Sequence, residues 1–218
     1  MSHRLRRLMA GTCLVAAPVG YVAGLFVDPA LRAGDAAVDA YGRHPGQVAV
    51  SAALLHWSWV LLVPGIVGMI HLVRRRAVVF GHVAGAVALL GIVNFSALML
   101  GDHFYAVLER DLGVEHGDRL GDEAFALARW GFQVPGFLGL LGVLLLGFAL
   151  AYGRQVPWWA PPAMVVGMLT GPIWPYGMIA GSLLYLAGSG VIGLRILRMR
   201  DADWAQPAED SGKVAVTA

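Results

Sequence analysis

The sequence predicts an all-α integral membrane protein: a six-transmembrane-helix bundle with both termini in the cytoplasm. Three observations lead there. The 218 residues are 58% hydrophobic and only 14% charged, whereas a soluble domain carries about 25% charged residues. The apolar residues fall in long blocks, and roughly 20 such residues cross about 30 Å of hydrocarbon. The basic residues gather on one side of those blocks, the pattern that orients membrane helices.

Six blocks qualify as spans: Leu8–Val27, Val48–Val73, Ala77–Gly101, Gly131–Tyr152, Trp158–Ile173 and Tyr176–Leu197. None contains Asp, Glu or Lys, and the only Arg, Arg195, lies in the final turn of the sixth. The first follows "RLRR" but exceeds the roughly 7–15 apolar residues of a cleaved signal, so it reads as a retained anchor. Pro64 and Pro135 lie inside the second and fourth spans and should kink them. The fifth is the shortest. Its Pro161 and Pro162 suit a first helical turn, where a missing N–H costs nothing, and a turn from Gly171 to Pro175 joins it to the sixth as a hairpin. Gly20 with Gly24, Gly81 with Gly85, Gly167 with Gly171 and Gly177 with Gly181 give four spans a small-residue face. Such faces let helices of one bundle approach closely.

Six spans place both termini on one side. That side holds Arg4, Arg6, Arg7, Arg74, Arg75, Arg76, Arg154, Arg195, Arg198, Arg200 and Lys213, against Arg32, Arg43, Arg110, Arg119 and Arg129 opposite. The bias of 11 to 5 makes that side cytoplasmic. Residues 1–200 then form one membrane domain of a bacterial-type inner membrane protein in the cell membrane. Residues 102–130 form an ordered outer loop, with one helix running to Gly113 and another starting at Asp122 as N-cap. The tail 201–218, "DADWAQPAEDSGKVAVTA", is polar and aperiodic and reads as disordered.

Several function classes are excluded at this level. One cysteine, Cys13, rules out an internal disulfide framework and any Cys-pair metal or redox motif. A net charge of +2 leaves no nucleic-acid footprint. There is no nucleotide-binding glycine loop, HExxH, GxSxG or paired intramembrane carboxylate. The sequence therefore proposes no catalytic residue and no metal ligand. Its candidate polar pocket is His56, Asn94, Asp102, His103 and Gln133.

His56 lies eight residues into the second span from outside and Asn94 seven residues into the third, about 12 and 10 Å along the helix axes. Matched depth predicts a hydrogen bond between them, since an unpaired polar side chain in hydrocarbon costs several kcal/mol. Ser96, Met99 and His103 share a different face of the third span. Asp102 and His103, in "LMLGDHFYAVLERD", stand where that helix leaves the hydrocarbon, and Phe104 and Tyr105 suit the interfacial aromatic belt. Gln133, with Trp57, Trp59 and Trp130, should complete an outward-facing pocket. The function implied is a non-enzymatic accessory, binding or small transport component without a cofactor. The alternative is a haem-binding oxidoreductase or electron carrier using His56 and His103 as axial ligands. The partners implied are the lipid bilayer and either a second copy or another membrane protein.

Overall fold

The computed structural model describes residues 2–33, 39–73, 77–173 and 176–205. The arginines at 74–76, loop residues 34–38, positions 174 and 175 of the hairpin turn, and the tail from 206 lie outside these. The described residues are helical or in turns, with no strand among them. In chain order the helices are α1 (His3–Val27), α2 (Pro29–Ala33), α3 (Ala40–Arg43), α4 (Pro45–Leu72), α5 (Val78–Leu98), α6 (Leu100–Leu112), α7 (Val114–Ala128), α8 (Val134–Tyr152), α9 (Ala160–Thr170), α10 (Tyr176–Arg198) and α11 (Asp201–Ala205). A π-helical turn, Arg129–Gln133, joins α7 to α8.

Five helical stretches are long and apolar enough to cross a membrane: α1, α4, α5 with α6, α7 with α8, and α10. The chain is thus a helical, multi-pass membrane protein. The third and fourth stretches have 35 and 39 residues, roughly 52 and 58 Å at 1.5 Å per residue. The hydrocarbon is only about 30 Å thick. The 21 apolar residues of α5 already fill it, so α6 and α7 stand outside as a helical hairpin.

The fifth expected span is the exception. α9 has 11 residues, about 16 Å and half a crossing. Its start is nonetheless chemically closed. Ala160 N–H donates to Pro157 O (3.1 Å) and Ala163 N–H to Trp159 O (3.0 Å), while Pro161 and Pro162 have no N–H to satisfy. A helix can therefore begin there without stranding donors in a low-dielectric interior. Its far end packs on α1, where Gly171 lies against Tyr21 and Leu25.

The helices close into a ring. α1 packs between α4 and α10, α5 packs against α4 and α8, and α9 bridges α8 to α10. Leu14, Leu62, Ile66, Met69, Ile92, Leu146, Met164, Ile192 and Ile196 are fully buried inside it. Val83, Leu90 and Val93 of α5, Leu141 of α8 and Leu183 of α10 face outward, as lipid contact requires. All four expected glycine pairs include a member meeting a neighbouring helix of the same chain. Gly24 meets Leu55, Gly85 meets Ile70, and Gly167 meets the backbone of Tyr185 and Gly181. Hydroxyls reinforce the ring: Ser51, Ser58 and Ser189 donate to the carbonyls of Gly24 (3.0 Å), Ala17 (2.9 Å) and Leu14 (2.5 Å), all on α1.

Two expectations are corrected outside the membrane. Asp122 is not an N-cap, because α7 begins at Val114, immediately after Gly113 turns the chain at φ 78°. Gly117 and Gly121 do not break this helix. They let it press onto the α6 backbone at Glu109 and the Tyr105 ring, and Asp122 accepts from the Tyr105 hydroxyl at 2.8 Å. Pro135 lies inside the 39-residue helical stretch, just after its π turn, the kind of distortion a proline imposes on a helix. The tail is helical at α11, since Asp201 pairs with Arg7 at 2.9 Å and Trp204 is buried against His71.

Candidate functional site

The five candidate residues do not converge on one pocket. His56 meets α5 through Ser96, not Asn94: its Nδ1 lies 2.8 Å from the Ser96 hydroxyl and 3.2 Å from the Ser96 carbonyl. The imidazole either accepts from the first or donates to the second. Asn94 donates to Leu90 O of its own helix at 2.7 Å. The two positions are two residues apart, about 200° around the helix, so a neighbour that sees Ser96 cannot see Asn94. Gln133 sits on the π turn, partly buried. Of the three expected tryptophans only Trp59 faces inward, at 4% exposure, while Trp57 and Trp130 are 60% and 78% exposed.

Asp102 belongs to a second locality, on α6 next to the C-terminal ends of α1 and α5. Asp28, at the C-cap of α1, is buried and well bonded. It accepts from the N–H groups of Ala30 (2.9 Å) and Leu31 (3.1 Å) and from the Tyr41 hydroxyl (3.0 Å). Burial lifts the Tyr41 phenol far above its usual range, aided by the charges of Asp102, Asp28 and Glu109. Asp102 is pushed up to about 7, first by burial and then by the Asp28 charge. Two turns further along α6, Glu109 accepts from Gly42 N–H at 2.8 Å and fixes α3 to α6. His103 is next to Asp102 in sequence, and its Nδ1 is buried without a hydrogen-bond partner among the described residues.

The Asp102 shift has a definite sign. A carboxyl whose folded value lies above its unfolded one binds its proton more tightly in the native state. Native stability therefore falls as pH rises from about 4 to about 7 through this group. Asp102→Asn should be more thermostable than the parent at pH 8, with the advantage vanishing at pH 4. Equal midpoints at both pH values would show Asp102 to be solvated.

A third locality was not foreseen. Inside the outer half of the ring, Tyr21 of α1 sets its ring edge-on to Trp59 of α4 (6.0 Å, 81°) and Tyr185 of α10 (5.3 Å, 83°). Trp59 stacks on Phe95 of α5 at 4.8 Å. The Tyr21 hydroxyl donates to Met168 O of α9 at 2.6 Å. Ser58, Ser182 and Tyr185 complete the group, all buried. Tyrosines and serines on three separated segments leave no spacing signal that could have announced them. The only local hint was Ser182 and Tyr185, three apart on one face of the last helix.

Among the described residues, no three of His, Cys, Asp and Glu come together as a metal site. Fold and site together define a polytopic helical membrane protein with polar groups inside its ring. Protein-family models, curated proteins and solved structures yield no match to this chain.

Proposed function

We propose that the chain is a binding or small transport component of the membrane, with both termini cytoplasmic and α9 serving as a half-length sixth pass. The observation that carries this is the broken pass. Non-helical backbone at membrane depth is tolerated only where protein buries it or a cavity takes it up, and interrupted helices near mid-bilayer are where transporters hold their solutes. Here the segment between α8 and α9 enters the core at Val156, α9 then packs on α10, and its far end meets Tyr21 of α1.

The test is access. With Cys13 replaced by Ser, Ala160→Cys lies at the start of α9, fully buried. It should react slowly with a small impermeant thiol reagent applied from the cytoplasmic face, reporting transient opening. Glu115→Cys, on α7 and exposed, should react at once from the outer face. If Ala160→Cys stays inert while Glu115→Cys reacts, the ring is sealed and transport is rejected in favour of an accessory role. If Glu115→Cys reacts only from the cytoplasmic face, the orientation is reversed.

One observation supports the haem alternative. Ser96 holds His56 Nδ1, and a partner on one ring nitrogen is how metal-ligating histidines are oriented. Against it, Ser96 and His103 are seven residues apart, about 10 Å along the axis, so His56 and His103 stand at different depths. Purified protein should show no Soret band. A band lost in both His56→Leu and His103→Leu would establish the haem reading instead.

A further inference from the structure

Among the described residues, three hydrogen-bond donors inside the ring have no partner: Trp59 Nε1, Ser182 Oγ and Tyr185 Oη. Their residues are 4%, 4% and 0% exposed. They belong to the layer around Tyr21, which touches both Trp59 and Tyr185 ring to ring. Ser182 lies one turn outward from Tyr185 on the same face of α10. Nearby acceptors are already engaged. Ala17 O takes the Ser58 hydroxyl and Met168 O takes the Tyr21 hydroxyl. Tyr185 Oη stands beside Ser58 but makes no hydrogen bond of normal geometry.

The chemistry that would complete this layer follows from the donor set. An indole N–H can only donate, and hydroxyls accept as well as donate, so the layer is short of acceptors. Whatever completes it must present oxygen lone pairs. A cation is excluded because the Trp59 N–H opposes it. A bare anion would require a compensating charge, and the buried polar residues of this layer (Ser58, Ser182, Tyr21, Tyr185) are all neutral. Buried polar groups of native proteins are nearly always paired, with ordered water where protein partners are missing.

We propose that Trp59, Ser182 and Tyr185 form a binding site for a small uncharged molecule that offers oxygen acceptors. Water is its smallest occupant and a lipid-soluble carbonyl or hydroxyl compound its larger one. The site rests on the binding reading above and names its ligand class. It places the bound molecule among α1, α4 and α10, close to where Met168 of α9 receives Tyr21.

The sign of a stability change tests this. Trp59→Phe and Ser182→Ala each delete a donor and keep most of the volume. If an acceptor is bound, each should lower the unfolding midpoint by on the order of 2–4 °C, and the double variant should lose less than the sum. If the donors face a dry core, deleting them relieves an unpaired polar group; unchanged or raised midpoints overturn the site. The ultraviolet resonance Raman spectrum of the parent minus Trp59→Phe should show a hydrogen-bonded indole, and an unbonded indole would overturn the site equally. Should Trp59→Phe fail to fold, Ser182→Ala carries the same sign test. Exhaustive delipidation separates the sources: water leaves the signature intact, whereas a lipid-soluble ligand is lost with it and appears by mass spectrometry in the extract. A hydrogen-bonded indole together with an inert Ala160→Cys would keep the site and discard transport. The reverse pair would discard the site and keep transport.

Discussion

Gly91→Leu is expected to prevent α5 and α8 from assembling, with no folded protein recovered in mild detergent. At this crossing the two backbones touch. A Cβ on Gly91 would lie 2.1 Å from Gly139 Cα, 2.4 Å from Gly139 N and 2.6 Å from Pro135 O. None of those atoms ends a flexible side chain, so relief requires the helices to separate. Separation exposes Ala88 and Ile92 on one side and Leu140 and Val143 on the other, all buried in the native ring. Overpacking a well-packed core costs about 1–3 kcal/mol, and a backbone collision should exceed that, at about 3 kcal/mol or more. Gly20→Ala is the contrast, because its Cβ would meet Leu54 O and Ser58 Cβ at an ordinary 3.6 Å. It should unfold within a degree or two of the parent. Monodisperse, thermostable Gly91→Leu would show that α5 and α8 are not joined at this crossing.

The second large effect is expected at the opposite end of the ring. Arg7, 8% exposed, donates from Nε to Asp201 at 2.9 Å and from Nη1 to the carbonyls of Ile196 (3.2 Å) and Leu197. One guanidinium thus satisfies the last carbonyls of α10, complements the negative end of its dipole and anchors α11. Arg7→Ala should cost roughly 2–3 kcal/mol, since charged hydrogen bonds are lost and buried carbonyls are left bare. It should also release Trp204 from His71. Arg7→Lys should recover little, because the three donors of an ammonium radiate from one nitrogen and cannot span acceptors that the planar guanidinium reaches from Nε and Nη1. Limited proteolysis near residue 201 and the unfolding midpoint read both effects. If cleavage and midpoint match the parent, the anchor is dispensable.

The sequence revealed membrane crossing more readily than it revealed neighbours. Span positions are legible because hydrocarbon thickness imposes a minimum apolar length, and α1, α4, α5, α8 and α10 lie within a few residues of the expected limits. α9 was misjudged because hydropathy counts apolar residues and not helical ones. Pro157, Pro161 and Pro162 delay the helix to Ala160 without making the stretch less apolar. The His56 partner failed for a related reason. Depth along an axis is readable from spacing, but direction around it depends on which helices adjoin. That same ignorance grouped Trp57 with Trp59, two residues and about 200° apart. α11 was hidden because its support comes from Arg7, nearly two hundred residues away (|i−j| of 194), and no local pattern encodes such a contact.

The hydroxyl bonds that converge on α1 impose an order in time. Ribosomes deliver α1 first, and the hydroxyls of Ser51 and Ser58 on α4 reach its carbonyls soon after. Leu14 O must wait for Ser189, and Arg7 must wait for the end of α10. Until the final helix inserts, one flank of the first stands open to lipid, and its partner surface has yet to be made. The ring can therefore close only after α10 has been made. Chains halted before Tyr176 would hold four well-packed helices and an open seam, the kind of incompletely packed intermediate that quality-control machinery meets in multi-step folding.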